Sequence, residues 1–221
     1  MGRARTHRDL LGGQYDSYVI TSARRPTRGV QVELTPQGAA TLLDVPLDRL
    51  ANTTEDFGDV AGHWADRLSA RLGAVDSWGA RFALLDAALR ARADRSPRQG
   101  VSPEVAWTLE VVRARAGSVR VDALAAELGG SRQRLHARFA AEVGLPPKRL
   151  ARLVRFDQLL DRVAGVVVRC GGVPASGWMG IAMAAGYHDQ SHLIREFREF
   201  AGTTPGGYLR RRFQVRTSDP A

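Results

Sequence analysis

The chain has one cysteine, Cys170, and one lysine, Lys148, among 221 residues. A lone cysteine excludes an internal disulfide and any zinc site built on several thiolates. No apolar run reaches the roughly 18 residues that a membrane-spanning helix needs. The opening MGRARTHRDLLGG is basic but lacks the apolar core of a secretory leader. These absences point to a chain that stays in the cytoplasm and does not enter a membrane. Acid is also in short supply: 23 Asp and Glu stand against 32 Lys and Arg, a net charge of +9. Such a balance favours a polyanionic partner, nucleic acid ahead of an anionic membrane surface. An arginine-rich coding composition would raise the total as well, so the position of the charge is the better guide. Residues 1–117 carry 16 basic and 14 acidic groups, whereas residues 118–221 carry 16 and 9. The excess belongs to the C-terminal half.

What is present is ordinary for a globular protein, with 44% hydrophobic and 25% charged residues. The length suits one large domain or two modest ones. Residues 1–16 are polar and read as a flexible arm. Tyr18–Ser22 and Val30–Leu34 both read as strands. Val30, Val32 and Leu34 alternate with Gln31 and Glu33, and ARRPTRG between the two segments suits a β-hairpin. Phe57, Val60, Ala61, Trp64, Leu68 and Leu72 fall at helical spacing up to Gly73, and Phe82, Leu85 and Leu89 repeat the pattern. Residues 17–95 therefore suggest a small α+β region, a hairpin plus a helix pair. The apolar seam of 55–95 serves either as plain core or as a homodimer contact. SPRQGVSP contains the best boundary, a linker at 96–102. Ser102 is placed to cap a helix that begins at Pro103.

The basic half repeats itself. Ala125, Gly129, Leu135, Phe139, Gly144 and Pro147 recur as Ala182, Gly186, Leu193, Phe197, Gly202 and Pro205. Only the glycine-to-leucine step differs, six residues in the first copy and seven in the second. In each copy a short helix ends at a glycine, and a polar residue, Ser131 or Asp189, then caps a second helix. That helix buries Leu and Phe one turn apart. The pattern is a helix-turn-helix written twice, near 122–143 and 178–201. Between the copies, Pro147 to about Val163 reads as one helix of roughly 25 Å. A connector on that scale suits two reading helices in successive major grooves, which lie about 34 Å apart. GVVVRCGGVPASG, within 164–177, reads as a loose link.

ALAAELGGSRQRLHARFAAEVGLPP, RLARLVRFDQLL and GIAMAAGYHDQSHLIREFREFAGTTPGGYLR together make the chain resemble the AraC/XylS family of bacterial transcription regulators. The resemblance covers about residues 103–212. It implies a mainly α fold, with a seven-helix tandem helix-turn-helix (homeodomain-like) domain over 103–213 and a tail at 214–221. It also implies double-stranded DNA as partner, with RNA polymerase a candidate second one and activation a candidate role. GVQVELTPQGAATLLDVPLDRL looks like the passage from a sensory β-barrel into its trailing helices. Only 28 residues precede it, too few for such a barrel, so the expectation is a shortened regulator or one that has lost its front. No effector residues are assigned.

The stretch GYHDQSHLIREF offers three readings: a metal site, a nucleophile or a reading surface. With Asp189 as cap, His188 lies outside the helix and does not stack on His192. No further cluster supplies the three protein ligands that zinc catalysis needs. Ser191 and His192 are adjacent on a helix and do not face each other. A reading surface is what is left. Gln190, Ser191, His192 and Arg195 lie on the early turns, and the matching positions of the resembled family contact bases. Glutamine pairs bidentately with adenine and arginine with guanine. In the first copy Arg132, Gln133 and His136 are the equivalent readers, with Ala137 beside them. Ser131, Arg134, Arg138, Lys148, Arg149, Arg152, Arg210, Arg211 and Arg212 are expected on the DNA backbone, where contacts add affinity without sequence choice. No catalytic residue, metal or cofactor is expected. Two alternatives compete. One is an architectural or partner-binding module without sequence preference. The other is a fragment of a DNA-repair methyltransferase, whose zinc-binding and nucleophilic cysteines a chain with Cys170 alone does not supply.

Overall fold

A computed structural model describes residues 6–21, 28–97, 100–171 and 177–213. The described residues are mainly helical, with one two-stranded sheet near the N-terminus. They divide into two compact units.

The first unit is built from described residues of Met1–Tyr15, Ala23–Ala106 and His136–Leu145. Its sheet pairs β1 (Leu10–Gly12) antiparallel with β2 (Thr54–Asp56), Leu11 opposite Glu55. The expected hairpin is thus replaced by a pairing across about forty residues, and the presumed flexible arm supplies one of the strands. Neither Tyr18–Thr21 nor Val30–Leu34 is a strand. The physical reason lies in exposure: Ile20 is 84% exposed and Val32 43%, so nothing covers the face that the alternation would bury. A lone two-stranded ribbon without such cover is marginal in water. The turn ARRPTRG lies largely outside the described residues.

Helix α1 (Pro36–Leu43) begins at Thr35, whose Oγ1 accepts from the Gly38 amide, with proline at its first position. The apolar series from Phe57 forms two helices instead of one, α2 (Phe57–Ala61) and α3 (His63–Gly73). Gly62 breaks them apart with φ of 59°. Helix α4 (Trp78–Asp94) is capped by Ser77 and buries none of its residues; Trp78 and Phe82 stand side by side in the open. Arg92 of α4 lies over the Trp64 ring of α3 and donates to the Leu42 carbonyl. Ser102 precedes α5 (Pro103–Ala114) as expected, but its Oγ makes no cap; its amide donates to Glu142 instead, at 2.6 Å.

The second unit takes described residues from Asp16–Ser22, Trp107–Leu135 and Pro146–Ala221. Its helices are α5 from Trp107 on, α6 (Val121–Glu127), the start of α7 (Arg132–Val143), α8 (Pro147–Cys170), α9 (Gly177–Ala184), α10 (Gln190–Ala201) and α11 (Pro205–Phe213). Helix α8 is its spine and reaches seven residues past its expected end, to Cys170. The apolar run Val166–Val168 continues the helical face because Val163 and Val167 are buried one turn apart. The loose link shrinks accordingly; residues 172–176 lie outside the described residues. Two apolar clusters share this spine. Ala151 and Val154 join Val112, Leu124, Ala125 and Leu135, while Phe156, Leu159, Val163 and Val167 join Trp178, Leu193, Phe197 and Leu209. The matched turn glycines, Gly129 and Gly186, have φ of 63° and 79°, the left-handed conformation that lets each helix end sharply.

Candidate nucleic-acid interface

Asp189 sets the start of α10. Its Oδ1 accepts from the His192 amide at 2.7 Å, satisfying a donor that the first turn leaves without a helical partner. Leu193 and Phe197 anchor the inner face. The Phe197 ring meets Phe156 edge-on at 4.9 Å, and Trp178 and Tyr208 at 5.8 Å each. Fixed cap and fixed anchor leave Gln190, Ser191 and Arg195 exposed on the outer side. Asp189→Ala is expected to lower stability by about 1 kcal/mol and Asp189→Asn by much less, read as urea midpoints.

His192 behaves differently from its neighbours. Its ring lies 5.1 Å from that of Tyr187, and its Nε2 is 3.4 Å from Glu196 Oε1. Glu196 is fully buried and carries an ionic cluster. Tyr187 donates its hydroxyl to Oε2 at 2.7 Å, Arg152 donates Nε–H to Oε1 at 2.8 Å, and Arg155 approaches at 3.5 Å. Glu199, one turn on, accepts from Arg152 at 2.5 Å and from Arg149, which also pairs with Asp16 at 2.8 Å. Hydrogen bonds from Arg152 and Arg149 hold the Glu199 carboxyl below its ordinary range, against the effect of burial. Burial, reinforced by Glu196, pushes the Tyr187 phenol far up. Arg152 and Arg149 lose some preference for charge to burial, yet their acidic partners leave both above the ordinary range.

On α7, Ser131 is the cap, its Oγ accepting from the Arg134 amide. Gln133, Arg134, His136 and Ala137 are exposed. Arg132 is exposed and 3.2 Å from Asp122, a surface pair of little energetic weight that a stronger anion can replace. Arg138 pairs with Glu104 at 2.8 Å. On α11, Arg210, Arg211 and Arg212 all lie on the surface. Of the expected backbone contacts, then, Arg149 and Arg152 are held inside the protein's own ion cluster. Lys148, Arg152, His192 and Arg195 converge on one open cavity, with Arg155 in its wall.

Sequence reasoning passed over Arg155, Tyr187, Glu196 and Glu199 as structural partners. Their signal was periodic: Arg149, Arg152 and Arg155 recur every three residues on α8, and Glu196 and Glu199 do so on α10. Such spacing puts like charges on one helix face, and the two faces are opposite in sign. Among the described residues no group of three or more His, Cys, Asp or Glu could hold a metal ion. None of the described helices is long and apolar enough to cross a membrane.

A short helix, a glycine turn and a capped helix with an outward polar edge define the helix-turn-helix class of DNA-binding domain. Residues 124–211, under half of the chain, match the family model described as a helix-turn-helix domain, which supports an AraC-like DNA-binding domain in this stretch. Comparisons with curated proteins and with solved structures found no match.

Proposed function

We propose that the chain is a sequence-specific, DNA-binding transcription regulator in which α7 and α10 each enter a major groove, in successive turns of one duplex. The observation that carries this reading is the face of α10. A cap and an aromatic anchor hold the helix, and Gln190, Ser191 and Arg195 stand free on its outer edge. These side chains offer the donor and acceptor patterns that base edges require. Arg132, Gln133 and His136 are the corresponding readers on α7. We assign His192 a positioning role, since its Nε2 lies 3.4 Å from Oε1 of the buried Glu196. Ser131, Arg134, Arg138, Lys148 and the arginines of α11 form the backbone-contacting set. A homodimer through 55–95, contact with RNA polymerase in activation and residence in the cytoplasm belong to the same proposal.

The test begins with a site selected by the full chain from random duplexes. Arg195→Ala is expected to weaken binding to that site by about 1–3 kcal/mol and to relax one base position. Arg211→Ala should weaken matched and scrambled DNA alike. Anisotropy titrations at fixed salt read both. Equal losses on the two duplexes for Arg195→Ala would remove Arg195 from the reading set. A wild-type protein with no preference between the duplexes would favour the architectural alternative.

A further inference from the structure

We propose that the second unit contains a dedicated seat for one phosphodiester of DNA, formed by Lys148 and Arg155 at a cavity of about 420 Å³ that Arg195 borders. The proposal rests on the DNA-binding reading above and adds to it a specific place where the strand is held between the two helix-turn-helix units.

The cavity lies where three elements of this unit meet. The loop leading into α6 borders it at Gly117, the first half of α8 supplies Lys148, Arg152 and Arg155, and α10 supplies His192 and Arg195. Gly117 marks how closely backbone approaches backbone there: a Cβ at this position would sit 2.0 Å from the Ala151 carbonyl oxygen. Lys148, Arg152, Arg155 and Arg195 make the α8 and α10 sides of the lining cationic, and their charges are not all matched from within. Arg152 is spent on Glu196 and Glu199. Arg155 reaches Glu196 with one terminal nitrogen only, at 3.5 Å, and its Nε is buried with no hydrogen-bond partner among the described residues. Lys148 and Arg195 are exposed at the rim and form no ion pair among the described residues. Arg149, Arg152 and Arg155 pair with Asp16, Glu196 and Glu199, and Lys148 and Arg195 add positive charge at the cavity beyond that set.

An unmatched buried guanidinium N–H is a donor held in readiness for an acceptor. Glu196 orients Arg152 and Arg155 from below, and the Tyr187 ring lies 5.3 Å from the Arg155 guanidinium carbon. The fork is therefore ordered before any ligand arrives, which reduces the entropy that binding must spend. Oxygen anions of the phosphate class match such a fork and an adjacent ammonium group. The seat adjoins both the approach to α6 and the outer edge of α10, so the anion we assign to it is a phosphodiester of the bound strand rather than a free phosphorylated molecule. Arg195 stands at the junction of seat and reading edge.

The experiment is a neutral-phosphate scan. Each phosphodiester between the two half-sites of the selected duplex is replaced in turn by an uncharged methylphosphonate. Binding is then measured for the wild type, Lys148→Gln and Arg155→Gln. The expected result is one position where neutralisation weakens wild-type binding about tenfold, and weakens Lys148→Gln markedly less. The salt dependence of Lys148→Gln should also fall by about one phosphate contact. Lys148 is exposed, so its variant tests the seat even if Arg155→Gln disturbs folding. Additive losses at every position would overturn the proposal while leaving the DNA-binding reading intact. So would pyrophosphate raising the melting temperature of the wild type but not of Lys148→Gln, together with a flat scan; that pair of results identifies a site for a free anion. A folded chain that binds no duplex at all would instead sink the reading beneath it.

Discussion

Glu196→Ala is expected to destabilise the second unit by about 3–5 kcal/mol, the range for removing one partner from a buried ion pair. The side chain is wholly buried, and the change leaves the Tyr187 hydroxyl and two guanidinium groups facing a gap. Arg152 keeps Glu199, and both arginines retain some access to water, with 23% and 18% of their side chains exposed. The loss should therefore fall toward the lower end of the range. Glu196→Gln preserves an acceptor for Tyr187 but removes the charge that balances Arg152 and Arg155, and should lie between alanine and wild type. Urea denaturation followed by circular dichroism measures the series. A loss below about 1 kcal/mol for Glu196→Ala would mean that the cluster contributes little net stability, as buried ion pairs sometimes do. The same substitution should reduce DNA affinity through the released arginines and His192, since these side chains line the cavity.

The second large effect belongs to Phe197. Its ring is fully buried among Phe156, Trp178 and Tyr208, contributed by α8, α9 and α11. Phe197→Ala is expected to cost about 3–5 kcal/mol, combining lost transfer energy with a cavity that three rings on separate helices cannot collapse to fill. Edge-to-face pairing adds to what area alone gives. Phe197→Leu keeps most of the volume and should cost clearly less. Because Phe197 fixes the rotation of α10, the alanine variant should also blunt discrimination between matched and scrambled duplexes. A variant of near wild-type midpoint would place the anchor elsewhere.

Much of the reading surface was legible in the residue order because its causes are local. Ser131 and Asp189 cap the helices they precede, through contacts only three residues away. The repeated small residue, glycine and Leu–Phe pair lie within one turn and one helix, and periodicity is enough to mark their buried side. The helix pair of the first unit was partly legible for the same reason. Gly62 was overlooked because a glycine inside an apolar series is ambiguous until its φ is known.

The failures share a different cause. Tyr18–Ser22 and Val30–Leu34 have strand-like composition, but a strand needs a partner, and pairing is a long-range choice that went to Leu10–Gly12 and Thr54–Asp56. Ser102 has the right residue type for a cap, yet Glu142, distant in sequence, takes its amide. Likewise the end of α8 depended on what covers Val163 and Val167.

The residue order by itself determined a duplicated helix-turn-helix, its caps and anchors, and an arginine excess in the C-terminal half, since each follows from spacing within a few turns of backbone. Tertiary structure decided which polar groups of GYHDQSHLIREF face outward and which turn in. Glu196 became a buried counter-ion, and His192 its neighbour, only because α8 brings three arginines to the same place. Charge in a sequence is a total; its partners are set by how the helices pack.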